Sequence, residues 1–164
     1  MSATGTDRIW IIGTTAITLT GVDFADPALA GEPDVRERGA RLEVRPRTSS
    51  RTGSVYASDP VALGPAVVRV DLLESAPGAA DRMHWHPTMH DGEPGDRTFD
   101  VTMPQDPAGW LRAFLADLGR WSADAGAVAD LADEIADAAG RVLETARRPW
   151  PVAAHDERGL APLS

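Results

Sequence analysis

Cysteine, lysine and asparagine are all missing from this chain. Without cysteine there are no disulfides, no thiolate metal ligands, no iron–sulfur cluster and no cysteine nucleophile. Without lysine there is no Schiff-base chemistry, no lysine-anchored pyridoxal phosphate and no P-loop lysine, so every basic side chain is an arginine. Lack of asparagine removes any N-glycosylation acceptor. A bias toward Ala, Arg, Asp, Gly and Pro accompanies these gaps and is what a GC-rich genome produces.

Two further things are scarce. No apolar run is long enough to span a bilayer: "IWIIGTTAITLTG" is short and threonine-rich, and no basic leader with a small-residue cleavage site precedes it. The expected compartment is therefore the cytoplasm. Net positive charge is also lacking. At −9 the chain repels a phosphate backbone, which argues against nucleic acid as a partner. The one basic run, Arg41, Arg45, Arg47 and Arg51, is interleaved with other residue types and reads as a solvated strand and loop.

What remains is an ordinary folded composition, 43% apolar and 25% charged over 164 residues, enough for one domain with a sizeable core. The expected architecture is α+β: residues 8–104 rich in β, 106–148 helical, and 149–164 an irregular tail. "RIWIIGTTAITLTGVDF" reads as one long strand or a hairpin turning near Gly13. "RLEVR" alternates, with Leu42 and Val44 on one face and Arg41, Glu43 and Arg45 on the other. "SVYAS", "AVVRVDLLE", "DRMHWHP" and "RTFDVTM" read as further strands, giving an antiparallel sheet or small half-barrel of five to seven strands. Asp106 and Pro107 open a helix with Trp110, Leu111, Phe114, Leu115 and Leu118 on one stripe. A second helix, capped by Ser122, is expected to reach about Arg147, with Asp130, Asp133 and Asp137 on its outer side. The tryptophans read as core rather than as a ligand-stacking pocket.

The informative segment is "MHWHPTMHDGEPGD", which holds three of the four histidines within seven positions. On a strand, Arg82, His84 and His86 share one face and Met83 and Trp85 the other. Pro87 ends the strand, and Gly92, Pro94 and Gly95 let the chain fold back. Two readings stand. The histidines and acids form a solvent-facing strand end and soluble turn, or they form a metal site. In the second, His84 and His86 are the core ligands, His90 the third, and Asp91 or Glu93 the carboxylate alternative. Asp100 is then a hydrogen-bond partner for a ligating imidazole. Glu93 is the candidate general base toward a metal-bound water and Arg82 the candidate binder of a substrate carboxylate or phosphate.

"GAADRMHWHPTMHD" resembles the first metal motif of the cupins. Gly78, His84 and His86 match by type and spacing, and His90 or Asp91 stands where the family has a glutamate. Arg97 occupies the motif's later glycine position, and His155 is the only histidine left for a second motif. The resemblance implies a β-barrel pocket holding iron, manganese, zinc, copper or nickel. The ligand types favour a divalent ion such as zinc, iron, manganese or copper over calcium.

The leading expectation is a metal-dependent enzyme that hydrolyses, isomerises or oxidises a small organic molecule, with no nucleic-acid or membrane partner and with a homodimer allowed. The alternative is a non-catalytic, acidic partner-binding domain of the immunity or adaptor kind, docking through the outer face of the second helix.

Overall fold

The computed structural model describes residues 6–25, 27–29, 36–48, 61–79, 81–148 and 150. The first apolar segment is a hairpin: β1 (Thr6–Ile12) and β2 (Thr15–Ala25) pair antiparallel around Gly13 and Thr14. Gly13 has φ 60°, the sign that a type II′ turn reserves for glycine at its first central position. After a short 3₁₀ turn (Pro27–Leu29), β3 (Arg36–Thr48) runs back along β2 through eleven paired positions. The short β4 (Ala62–Leu63) pairs with the end of β3. Next, β5 (Val68–Glu74) lies along β3, and β6 (His84–His86) along β5. The result is a six-stranded antiparallel sheet of order β1-β2-β3-β5-β6, with β4 branching from β3. A separate two-stranded hairpin, β7 (Met89–His90) and β8 (Glu93–Pro94), follows.

Strand alternation divides the sheet into two unlike faces. Trp10, Ile12, Ile17, Leu19, Leu42, Val44, Val68, Val70 and Leu72 are buried on one. Three helices cover that face: α1 (Pro107–Leu115), α2 (Ala125–Asp130) and α3 (Ala132–Ala146). They contribute Leu111, Leu115, Val128, Ile135 and Leu143, with Leu118 from the α1–α2 connection. Full burial of each such side chain stabilises the fold by about 1.5–3 kcal/mol. Trp85 points the same way and packs against Trp110, Phe114 and Trp121, with ring centroids 5.7–5.9 Å apart. The indoles of Trp110 and Trp121 donate to Asp100 and to the Pro87 carbonyl. The tryptophans that the structure describes in this group are packing residues, as the sequence implies.

Some boundaries differ from expectation, each for a local reason. β3 begins at Arg36, ahead of "RLEVR", because Gly39 allows close approach to β5. Its φ is +152°, and a Cβ there would lie 2.0 Å from the Leu72 carbonyl oxygen. "RTFDVTM" is not a strand. Only Thr98 bridges to Trp85, after which the Asp100 carboxylate accepts from the Thr102 N–H and hydroxyl and bends the chain into a turn. Phe99 and Val101 are left exposed and Met103 buried.

α1 starts as expected, with Asp106 capping the Gly109 N–H and Pro107 at the first position. The expected second helix starts at Ala125, two residues late for a Ser122 cap, and is split at Leu131. The Asp124 carboxylate is drawn away to the β1–β2 turn, accepting from the Thr14 N–H and the hydroxyls of Thr14 and Thr15. Of the remaining expectations, "SVYAS" and His155 lie outside the described residues, as does the tail apart from Trp150. No helix among the described residues is long and apolar enough to cross a membrane.

Candidate metal centre

The face turned away from the helices carries the chemistry. In the register of the sheet Arg41 lies opposite Asp71, and Asp71 opposite His84. One step along, Glu43 lies opposite Arg69, and Arg69 opposite His86. Directly opposed residues on antiparallel strands share a face, so pairing alone brings Asp71, His84 and His86 together. All three are buried, at 2%, 3% and 4% exposure. The Nε2 atoms of the two histidines are 3.1 Å apart, and Asp71 Oδ2 lies 3.3 Å from one and 3.6 Å from the other.

The other ring nitrogens settle which atoms carry protons. His84 Nδ1 is 2.9 Å from the Arg82 carbonyl oxygen and His86 Nδ1 is 2.9 Å from that of Gly95. A carbonyl only accepts, so each Nδ1 carries a hydrogen and each Nε2 is the ring atom turned toward the trio. Three possible ligand atoms therefore converge: two imidazole nitrogens and a carboxylate oxygen. Ligands about 2.0–2.1 Å from a tetrahedrally coordinated ion sit about 3.3 Å from one another, and the three observed separations bracket that value. Anchoring the second ring N–H on a carbonyl is how metal-ligating histidines are usually held.

Asp71 is ionised. Burial works against its charge, but hydrogen bonds to His84 and His86 and the adjacent Arg41 guanidinium outweigh it, holding the carboxyl well below the usual range. Its two oxygens have separate tasks. Oδ1 accepts from Arg41 Nε at 2.7 Å, while Oδ2 faces the histidines. Beside this row Glu43 is buried between two arginines. Arg69 meets it at 2.8 Å through both Nε and Nη2, and Arg45 meets it through Nη2 while also donating to Thr18 and to the Gly64 carbonyl.

The return of the chain over the strand takes place, but it delivers backbone to the trio rather than side chains. Asp91 and Gly92, with φ of 51° and 85°, form the two-residue turn of the β7–β8 hairpin, the pattern of a type I′ Asp-Gly turn. His90, Asp91 and Glu93 are exposed on that hairpin and are not among the converging donors. Gly95, just past it, supplies the carbonyl for His86. The Arg82 side chain, half-buried, has Nε 3.7 Å from Asp81, and its contribution to the trio is its main-chain oxygen. Asp100 serves Thr102 and Trp110, not an imidazole.

The residue that sequence reasoning passed over is Asp71. Its signal was a carboxylate in the middle of "VVRVDLLE", where a charge is costly unless it has buried partners.

No family model matches the chain, and searches of curated proteins and of solved structures find no match either.

Proposed function

We propose that the protein binds one divalent transition-metal ion through Asp71 Oδ2, His84 Nε2 and His86 Nε2, and that this ion serves chemistry on a small organic molecule. The observation that carries the reading is the convergence of two imidazole Nε2 atoms and one carboxylate oxygen, each residue fixed from behind. A single proton lies along one line between two atoms, whereas a cation at the centre satisfies all three. Two histidines and one carboxylate form a set used for zinc and for non-haem ferrous iron, and three protein ligands leave positions for water or substrate. Bound there, the ion would act as a Lewis acid and lower the pKa of a coordinated water. Arg41 holds the carboxylate in a one-oxygen posture toward the ion, and Arg82 and Gly95 orient the rings.

In this reading the cupin likeness rests on the H-x-H pair, whose carboxylate partner comes from the neighbouring strand. His90, Asp91 and Glu93 stand at the rim, where Glu93 as general base would require movement of the hairpin. The partner-binding alternative would use the outer face of α3, but Arg112 already engages Asp133 at 2.7 Å and Asp137 at 3.3 Å.

Metal analysis of untagged protein, beside the His84→Ala/His86→Ala variant, tests the proposal. The expected result is near one equivalent of metal in the parent and a loss of most of it in the variant. Substoichiometric metal that the substitutions leave unchanged would transfer the case to the partner-binding reading.

A further inference from the structure

Resting on the metal reading, we infer that the site takes a small organic carboxylate with an apolar body, its carboxylate shared between the ion and Arg41 and its body laid against Phe99. The charges on this face point to an anion. Arg41, Arg45 and Arg69 stand beside Glu43 and Asp71 on this face, in a chain whose overall charge is −9. A divalent ion would add two positive charges beside these arginines, and such a concentration of positive charge attracts anionic ligands.

The arginines are not equivalent. Arg45 spends Nε, Nη1 and Nη2 on Thr18, Gly64 and Glu43, and Arg69 directs Nε and Nη2 at Glu43. Among the described residues, Nε is the only nitrogen of Arg41 with a partner, the Asp71 oxygen. Its two Nη groups stay available, and its side chain is 32% exposed. A guanidinium whose Nε is anchored and whose outer N–H groups are open is suited to a carboxylate oxygen. Because Asp71 bridges it to the histidines, that oxygen's partner atom falls at the ion.

Across the trio from Arg41 lies Phe99. Its ring centroid is 5.7 Å from that of His84, and it is 64% exposed although large and apolar. The row Arg41, Asp71, His84, Phe99 thus runs from cation through ligands to hydrocarbon. A ligand spanning it presents charge at one end and an apolar surface at the other.

The experiment uses full-length protein loaded with Co²⁺, whose visible bands report the ion's ligands, titrated with benzoate, acetate and neutral imidazole. Benzoate is expected to perturb the bands and to bind more tightly than acetate. Arg41→Gln should weaken benzoate and acetate by about tenfold or more while leaving imidazole unchanged, and Phe99→Ala should erase only the preference for benzoate. Should Arg41→Gln lose cobalt, Arg41→Lys decides, since the ammonium keeps a positive charge beside Asp71 but lacks the guanidinium's two-pronged reach to the ligand. It should keep the bands and weaken both carboxylates. Loaded protein whose bands ignore carboxylates, or whose arginine variants bind them as tightly as the parent, overturns this inference and leaves the metal reading standing. Parent protein that takes up no cobalt overturns the metal reading, and this inference with it.

Discussion

Replacing Asp71 by Asn keeps the shape of the side chain and removes its charge, which makes it a sharp probe of the trio. If an ion binds native protein only, at a thousand times its dissociation constant it stabilises the fold by about 4 kcal/mol. In a chain of this length that is roughly 8–16 °C in Tm. Loss of a hydrogen-bonding partner behind a ligand typically weakens metal binding 10–100-fold, so loss of a charged ligand belongs at or beyond about 100-fold. At the same metal concentration Asp71→Asn should then retain only about 1.4 kcal/mol of metal-dependent stabilisation, about 3–6 °C. The substitution also removes the charge that pairs with Arg41, which lowers Tm whether or not metal is present. The comparison is therefore a difference of differences. Parent and variant are each melted by differential scanning fluorimetry with zinc and with chelator. A variant that keeps the parent's full zinc-dependent shift, or a parent that shows none, would refute the reasoning.

Four further outcomes are expected. His90→Ala, on the exposed β7–β8 hairpin, should leave metal stoichiometry unchanged by elemental analysis. In chelator, the parent should lose stability as pH falls below about 4, because Asp71 has its carboxyl held low in the native state. The unfolded chain takes up that proton first, so stability present above the unfolded pKa is lost on acidification. Asp71→Asn should show a slope shallower by up to about 1.4 kcal/mol per pH unit in urea titrations. Arg147→Ala strands Glu74, which is 1% exposed and receives both guanidinium contacts at 2.9 and 2.7 Å. A cost of about 3 kcal/mol by urea denaturation is expected. Gly39→Ala should cost about 3 kcal/mol or more by chemical denaturation, since its Cβ would meet the Leu72 oxygen at 2.0 Å.

The architecture was legible because it follows from local pattern. Alternation in "RLEVR" gave faces that the sheet preserves, the Asp106–Pro107 start of α1 is a matter of capping chemistry, and His84 and His86 share a face because a strand has period two. The limits were equally physical. Which strand lies beside β6 is a fact of tertiary pairing, and only that pairing sets Asp71 opposite His84. A search confined to neighbours in sequence found His90, Asp91 and Glu93 instead. "RTFDVTM" alternates like a strand, yet Asp100 binding its own downstream backbone made it a turn. Asp124, which suits a helix start, went to Thr14 and Thr15 because the β1–β2 turn lay within reach.

The most direct measurement is an anomalous difference map from crystals of untagged protein grown in metal-replete medium. The account predicts one peak about 2.0–2.2 Å from Asp71 Oδ2 and from both Nε2 atoms. Density with no peak between them and the two Nε2 atoms still about 3 Å apart, as a shared proton would hold them, would contradict it.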